Sequence, residues 1–255
     1  MIDLRGAVVV VTGARGAIGS VIARRFAEQG AIVAGLDLAA TDTGAVPIRA
    51  CDVSDPEQAR AAINAVVAEH GRLDVLVNNA GINVTGAVED LDPGAWDQCF
   101  AVNTRGVFVM CQAAIATMKS QRSGRIINAA SFAATIPSVG AAAYAASKAA
   151  VVQFTRVLAG ELGPWNVTAN CYAPGMIPSA MNGFAALPAA EQEELLDTLT
   201  LRRWGTAEEV ADAVCYLASD LARYTTGTVL DVSGGKFATQ RPQAAYRAVG
   251  EREEC

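Results

Sequence analysis

Seven short apolar segments recur from one end of the chain to the other, most of them separated by longer alanine-rich stretches with helical character. Nearly continuous apolar runs of this length are typical of parallel strands that are buried on both faces of a sheet. The alternation predicts one α/β domain with right-handed crossovers and helices on both faces. The predicted strands are Ala7–Thr12, Ala31–Asp37, Val46–Cys51, Val75–Asn78, Arg125–Ala129, Val167–Tyr172 and Val229–Val232.

The composition argues against several classes of partner. The chain has 20 basic and 26 acidic residues, a net charge of −6, which disfavours a nucleic acid or an anionic membrane surface. No uninterrupted apolar run is long enough to predict a transmembrane helix, and the N-terminus lacks signal-peptide features. One histidine and six cysteines without a CxxC pair predict no metal site. We therefore expect a soluble, cytoplasmic protein with reduced thiols.

The domain organisation is simple. Residues 1–240 are predicted to form a single domain, within which 176–206 breaks the alternation because it contains loop and helix without a strand. Residues 241–255 are predicted to be a C-terminal tail. No strand or helix pattern is evident after Gly235.

A glycine-rich turn connects the first strand to the next helical stretch, with the sequence Thr12-Gly13-Ala14-Arg15-Gly16-Ala17-Ile18-Gly19. Glycines at such a turn let the backbone approach a pyrophosphate, and the helix N-terminus offers free N–H groups. Asp37 ends the second strand, where a carboxylate can accept both ribose hydroxyls of adenosine and would repel a 2′-phosphate. These features predict NAD as the bound nucleotide.

A second polar group follows a later strand. Ser131 comes just after Arg125–Ala129, and Tyr144 and Lys148 are four residues apart, on one face of a predicted helix. A phenol normally titrates near ~10, and an ammonium group one turn away favours the phenolate. Ser131 lies at the carboxyl end of its strand, where ligands bind in open α/β sheets. The pattern predicts proton transfer at an oxygen of a bound substrate.

Together these motifs resemble the short-chain dehydrogenase/reductase family over roughly residues 5–235. The family's glycine motif is Thr-Gly-x-x-x-Gly-x-Gly, and here Ala17 stands at its middle glycine. Asp52-Val53 resembles the family's adenine-contacting pair, and Asn78-Asn79-Ala80-Gly81 resembles its turn after the fourth strand. The resemblance implies a doubly wound Rossmann domain with a parallel seven-stranded sheet. It also implies NAD contacts from Gly13, Arg15, Gly16, Ala17, Ile18, Gly19, Asp37, Asp52, Val53, Asn79, Ala80, Gly81, Tyr144, Lys148, Pro174, Gly175, Ile177 and Ser179.

The resemblance further implies a catalytic set of Asn103, Ser131, Tyr144 and Lys148. In that set Tyr144 exchanges a proton with the substrate oxygen, which Ser131 polarises or positions. Lys148 lowers the pKa of Tyr144 and holds the nicotinamide ribose. Asn103 keeps a water that links Lys148 to solvent.

The segment after the sixth strand resembles the family's turn beneath the nicotinamide, formed here by Pro174-Gly175. Ser179 stands where a threonine commonly holds the carboxamide, and Ile177 would bond through its backbone. The candidate substrate contacts are mainly apolar, which favours a medium-sized hydrophobic or cyclic secondary alcohol over a free hexose. These candidates are Ser131, Phe132, Met176, Met181 and Phe184.

These expectations indicate an NAD(H)-dependent oxidoreductase that interconverts a secondary alcohol and the corresponding ketone. One alternative is a 3-oxoacyl thioester reductase, although Asp37 opposes the phosphorylated cofactor that most such enzymes prefer. Another is a polyol or sugar dehydrogenase. An alternative of a different class is a catalytically silent NAD(H)-sensing protein, against which the complete catalytic set counts.

The resemblance also implies a homotetramer built on the helices Pro93–Met118, Ala142–Gly163 and Thr206–Asp220. Their alanine and glycine content permits close helix approach, and a charged fraction of 18% fits large buried interfaces. The tail has two interpretations: a frayed terminus, or a segment that crosses to a neighbouring subunit, where Tyr246 or Arg247 closes the active site.

Overall fold

A computed structural model describes residues 2–41, 46–179 and 181–253. Its seven strands form one parallel sheet. They are β1 (Val8–Thr12), β2 (Ile32–Asp37), β3 (Ile48–Ala50), β4 (Val75–Asn78), β5 (Gly124–Ala129), β6 (Val167–Pro174) and β7 (Val229–Val232). The order is β3-β2-β1-β4-β5-β6-β7, so the chain reverses direction across the sheet at β1 and β4. Ligands bind at such a switch point, at the carboxyl ends of the strands.

The predicted fold class and all seven predicted strands are confirmed, with differences at the ends. The largest differences are at β3, which keeps only three residues of the predicted Val46–Cys51, and at β6, which continues to Pro174. In β1, Val8 and Val10 point into one apolar core and Val9 and Val11 into the other. Both faces of the strand are therefore covered, which is why its apolar run is unbroken.

Helices cover the two faces of the sheet. They are α1 (Ala17–Glu28), α2 (Pro56–His70), α3 (Pro93–Phe100), α4 (Gly106–Gln121), α5 (Ala142–Leu162), α6 (Ala189–Leu196), α7 (Ala207–Ala218) and α8 (Gln243–Glu253). Buried side chains of α2, α4 and α5 form one core with the sheet, and those of α1 and α7 form the other. The site described below lies at the carboxyl edge between these layers.

A five-residue π-helical segment, Ala101–Arg105, joins α3 and α4 into one continuous helix. By length and composition, Pro93–Gln121 is apolar enough to cross a membrane, which uninterrupted apolar runs did not predict because single polar residues divide it. Its side chains Val107, Met110 and Met118 are buried in the core with α2 and the sheet. Packing in the protein interior therefore accounts for the apolarity of this helix.

The expectation that the tail lacks regular structure is wrong for Gln243–Glu253, which forms α8. The hydroxyl of Tyr246 donates to the carbonyl of Thr200 at 2.7 Å, and Thr200 Oγ1 donates to the carbonyl of Gly235 at 2.9 Å. The sequence left two interpretations of the tail, a frayed terminus or a segment that crosses to a neighbouring subunit. The hydrogen bond of Tyr246 instead joins the tail to Thr200 of the same chain. Tertiary docking stabilises a short polar helix that its own sequence would not predict. Cys255 lies outside the described residues, and the five other cysteines are buried thiols.

Candidate active site

The glycine-rich turn packs directly against the turn that follows β4. Gly13 has a φ of +64°, and a Cβ there would lie 2.8 Å from the Cα of Ala80. A Cβ on Gly19 would lie 2.1 Å from the carbonyl oxygen of Gly13. Both contacts are shorter than a side chain tolerates, so this close approach of backbone requires glycine at both positions.

Hydrogen bonds join the same two turns. Thr12 Oγ1 accepts from the backbone N–H groups of Asn79 and Ala80, both at 3.0 Å. Asn79 Nδ2 donates to the carbonyl of Thr12 at 3.1 Å, and the Tyr172 hydroxyl donates to Asn79 Oδ1 at 3.0 Å. The predicted cofactor residues of β1 and β4 are therefore brought together at the switch point of the sheet.

The start of α1 can receive an anion. Gly16 is its N-cap and provides no side-chain hydrogen bond, so no side chain caps the first N–H groups of this helix. Free N–H groups and the helix dipole favour a phosphate at this place. Ala17, which stands at a glycine of the family motif, is the first residue of α1 and is exposed.

Two carboxylates lie at the ends of neighbouring strands. Asp37 Oδ2 accepts from the backbone N–H of Arg15 at 2.9 Å, and Asp37 Oδ1 accepts from the N–H of Leu38 at 2.9 Å. Asp52, after β3, accepts from the backbone and hydroxyl of Ser54 at 2.9 and 2.7 Å. The backbone thus orients the Asp37 carboxylate beside the glycine-rich turn, where the sequence places an adenosine ribose.

The residues predicted to carry the chemistry meet at the end of β5. Ser131 is buried just beyond this strand, where its Oγ accepts from the backbone N–H of Ala133 at 3.2 Å, and it lies near enough to Tyr144 on α5 to lower the pKa of that phenol. Lys148, one turn further along α5, donates from Nζ to the carbonyl of Ala129 at 2.8 Å, and its Nζ lies 5.7 Å from the centroid of the Tyr144 ring. The predicted Ser–Tyr–Lys cluster is therefore assembled in the folded chain.

The protonation of this cluster differs from the expectation. Burial raises the pKa of Tyr144, and the nearby Ser131 only partly opposes that effect. Burial also lowers the pKa of Lys148 to about 8. The pKa of Tyr144 therefore lies above its usual value, although Lys148 is nearby. The physical reason is that loss of water around the buried phenol outweighs the effect of Ser131, which favours the phenolate.

Asn103 lies in the π-helical segment and clamps two neighbouring elements together. Its amide makes two hydrogen bonds with the backbone of Ile82, both at 2.9 Å, and Nδ2 also donates to Ser147 Oγ on α5 at 3.0 Å. A Cβ on Gly81 would lie 3.2 Å from Asn103 Oδ1 and 3.4 Å from Lys148 Nζ. Asn103 thus positions the turn after β4 beside Lys148, and its link to a water stays a prediction.

The loop after β6 approaches the end of β7. A Cβ on Gly175 would lie 2.5 Å from the Cα of Ser233, so only glycine fits. Asn182 holds the next residues in place: its Nδ2 donates to the carbonyl of Ile177 at 2.7 Å, and its Oδ1 accepts from the N–H of Ser179 at 3.1 Å. The N–H of Ile177 donates to Gly175 at 3.1 Å. Both backbone groups of Ile177 thus have partners, so a cofactor contact there must share or replace one.

The candidate substrate residues differ in their exposure and in their contacts. Met176 is buried, whereas Met181 is 53% exposed. Phe184 stacks on Trp204, with ring centroids 5.6 Å apart. Phe132, next to Ser131, lies beneath the ammonium group of Lys236, 5.7 Å from Nζ to the ring centroid. The sequence offered no signal for Lys236 beyond its place after two glycines.

A cavity of about 650 Å³ lies at the opposite edge of the sheet, before β1, β4 and β5. Three arginines and three aspartates line it in pairs, namely Arg5–Asp3, Arg72–Asp74 and Arg125–Asp220. The charges of this cavity are balanced, and it lies away from the carboxyl ends, where ligands bind in open α/β sheets. In the described part of the chain, no group of three or more His, Cys, Asp or Glu residues could hold a metal ion.

The chain is similar to known proteins in sequence and in fold. A family model described as enoyl-(acyl carrier protein) reductase matches residues 13–236. The 3-oxoacyl-(acyl-carrier-protein) reductase FabG of Thermotoga maritima is 36% identical over 243 residues, 91% of this chain and 98% of that protein. The D-threitol dehydrogenase of Mycolicibacterium smegmatis is 38% identical over 243 residues, 91% of this chain and 93% of that protein. The ligand-free aldohexose dehydrogenase of Thermoplasma acidophilum superposes with a TM-score of 0.87 at 34% identity, covering 93% of this chain and 96% of that one.

A doubly wound sheet with a glycine-rich turn and an assembled Ser–Tyr–Lys cluster defines a dinucleotide-dependent oxidoreductase. The chain belongs to the short-chain dehydrogenase/reductase family, whose members use nicotinamide cofactors, commonly act on small molecules and often form tetramers.

Proposed function

We propose that this protein is an NAD(H)-dependent oxidoreductase that interconverts a secondary alcohol and the corresponding ketone. The observation that carries the proposal is the convergence of Ser131, Tyr144 and Lys148 at the carboxyl edge of the sheet, where the ammonium group of Lys148 is held by the carbonyl of Ala129 at 2.8 Å and lies 5.7 Å from the centroid of the Tyr144 ring. A positioned acid or base beside a dinucleotide site is what this reaction needs.

The residues present fit a nicotinamide dinucleotide. The uncapped start of α1 and the close-packed glycine-rich turn suit its pyrophosphate, and Asp37 suits the hydroxyls of the adenosine ribose. Asp52-Val53 would border the adenine, and the nicotinamide half would lie among the Asn79–Gly81 turn, Lys148 and the residues after β6. When bound, the nicotinamide ring supplies or accepts the hydride.

The chain's own residues handle the proton. Because burial keeps Tyr144 protonated at neutral pH, its phenol is ready to donate a proton to a ketone oxygen in the direction of reduction. In the direction of oxidation Tyr144 acts from its phenolate form, which the nearby ammonium group of Lys148 stabilises; the phenolate takes the proton of the alcohol and becomes the neutral phenol. Ser131 holds the same substrate oxygen by a hydrogen bond.

The preference for NAD follows from the charge of Asp37. Backbone N–H groups orient its carboxylate, and no ion pair with a side chain of the described residues neutralises it. A 2′-phosphate placed there would meet an uncompensated negative charge. Asp37 therefore also disfavours the 3-oxoacyl thioester reductase alternative, if that activity uses the phosphorylated cofactor.

The names of two relatives favour a second candidate substrate class. One relative is a D-threitol dehydrogenase and one structural neighbour an aldohexose dehydrogenase, which both suggest polyols or sugars. The apolar segment around Met181 and Phe184 instead suits a less polar alcohol. Comparing kcat/KM for polyols, sugars and cyclic or aryl alcohols separates the two candidates.

The assembly we propose is a cytoplasmic homotetramer. The outer face of α4 and α5 exposes apolar side chains that water does not favour: Phe108 is 47% and Val157 62% exposed, and Phe108 meets Phe154 edge to face at 6.2 Å. A contiguous apolar face of this kind suits burial against another subunit. Analytical ultracentrifugation of the purified protein measures the subunit number directly.

The test of the function is the absorbance of NADH with a panel of ketones, run with the wild type and with Tyr144→Phe. We expect turnover by the wild type and a loss of about 10²-fold or more in kcat for the variant, with NADH binding intact. NADH binding without turnover of any ketone or alcohol would contradict the proposal and favour the sensing alternative.

A further inference from the structure

The ammonium group of Lys236 lies against the residue that follows Ser131. Lys236 follows the glycine pair at the end of β7, and its Nζ donates to Thr198 Oγ1 at 2.5 Å. The same Nζ lies 5.7 Å from the ring centroid of Phe132, the residue directly after Ser131. A lysine distant in sequence is thus placed against the ring of the residue next to the proposed catalytic serine.

The charge of Lys236 has no negative partner in the described residues. No ion pair there includes it, and its side chain is half-buried. Burial lowers the pKa of Lys236, and no nearby carboxylate raises it again. A desolvated cation is unfavourable unless an anion compensates for the lost water. One of its three N–H donors reaches Thr198, which leaves capacity for a ligand.

The backbone around Lys236 is fixed before any ligand arrives. The N–H of Lys236 donates to Ser233 Oγ at 3.1 Å, and the preceding glycines are hydrogen-bonded to Thr200 and Leu201, each at 2.9 Å. A Cβ on Gly235 would lie 2.6 Å from the Cβ of Thr200, so the two segments are in close contact. A charge that is held in place costs less conformational entropy when it binds an anion.

The covalent path limits the distance to the reaction centre. One peptide unit separates Phe132 from Ser131, so Lys236 Nζ lies within roughly 15 Å of the Ser131 Cα. A substrate that extends from Tyr144 along the Phe132 ring would reach this ammonium group with its far end.

We propose that Lys236 binds a carboxylate of the substrate, which makes the preferred substrate a hydroxy acid or oxo acid with an apolar body. This inference rests on the proposed function, because it assigns the far end of the same substrate. The apolar chain lies along Phe132 and the carboxylate meets Lys236, which combines an apolar lining with one placed charge.

The experiment uses (ω−1)-hydroxy acids of increasing chain length, both enantiomers, each paired with its neutral methyl ester, with NAD at pH 7. For the best chain length we expect the wild type to prefer the acid over its ester by at least ~10-fold in kcat/KM. Lys236→Met should lose that preference mainly through a higher KM for the acid, while the ester is turned over as before. Lys236→Arg should keep the preference.

Lys119→Met is the matched control, because it removes the same charge from a lysine that lies over Trp165 on another part of the surface. It should leave the ratio of acid to ester unchanged. Equal use of acid and ester by the wild type at every chain length overturns the inference. An equal loss for acid and ester in Lys236→Met also overturns it, since that result shows a structural role. Turnover of neutral alcohols without turnover of acids overturns this inference alone, whereas no turnover of any alcohol overturns the proposed function as well.

Discussion

A single methyl group added at Gly19 should separate the two turns that form the cofactor site. The new Cβ would lie 2.1 Å from the Gly13 carbonyl oxygen and 2.5 Å from Asn79 Nδ2. Relief to an ordinary contact requires a movement of roughly 1 Å, since overpacking cannot be absorbed in place. Gly13 is itself packed against Ala80, so the movement must disturb the hydrogen bonds of Asn79 with the glycine-rich turn.

The cost of Gly19→Ala can be worked from these contacts. Overpacking costs about 1–3 kcal/mol, and a weakened hydrogen bond adds about 1 kcal/mol, so we expect a loss of about 2–4 kcal/mol in the free energy of unfolding. For a chain of this size that corresponds to a fall in Tm of about 5–12 °C. NADH affinity should fall by at least ~10-fold, because the displaced turn no longer matches the pyrophosphate.

The assays are differential scanning calorimetry and fluorescence titration with NADH. Gly160→Ala is the matched control, because its Cβ would meet nothing within 4 Å and the residue lies inside helix α5, where alanine is well accommodated. A Gly19→Ala variant that melts within about 1 °C of the wild type and binds NADH with unchanged Kd would refute the steric reasoning.

The remaining predictions concern the chemistry, the cofactor, pH and the tail. Tyr144→Phe should lower kcat by about 10²-fold or more, and retention of over half the activity would show that Tyr144 is not the acid. The wild type should prefer NAD(H) over NADP(H) by at least ~10-fold in kcat/KM because of Asp37, and equal efficiency with both would contradict this assignment. Because the folded chain lowers the pKa of Lys148 to about 8, from 10.5, the unfolded state binds more protons at this residue between these values, so Lys148 contributes stability that rises with pH in that window, whereas the buried thiols, whose pKa values are raised, contribute stability that falls above pH 9. Urea unfolding at pH 8 and pH 10 should therefore show a more negative change in stability for Lys148→Met than for the wild type, and the variant should also lose activity and cofactor affinity; identical changes would exclude the buried lysine as a contributor. Deletion of residues 240–255 should raise KM several-fold with assembly intact, because it removes Tyr246 from the segment that also holds Lys236; unchanged kinetics would mean that the tail lies outside the site.

Local patterns in the amino-acid sequence are enough to predict the sheet and most of the site residues. A strand such as Val8–Thr12 can be predicted because a strand buried on both faces requires an unbroken run of apolar residues. The glycine-rich turn and the Tyr144–Lys148 pair can be predicted from the sequence because their members are neighbours along a turn or a helix. The ends of strands are harder to predict, as β3 shows, since a strand ends where its neighbour ceases to pair with it.

Other features depend on contacts between residues far apart in the chain. Lys236 reaches Phe132 and Thr198 only when the end of β7, the end of β5 and the segment after α6 converge at one edge of the sheet. Helix α8 depends on the docking of Tyr246 against Thr200, and a short polar segment has no periodic pattern that announces such docking. The raised pKa of Tyr144 and the lowered pKa of Lys148 arise from burial. Burial is set by the whole packed structure around a side chain, and no local motif records it.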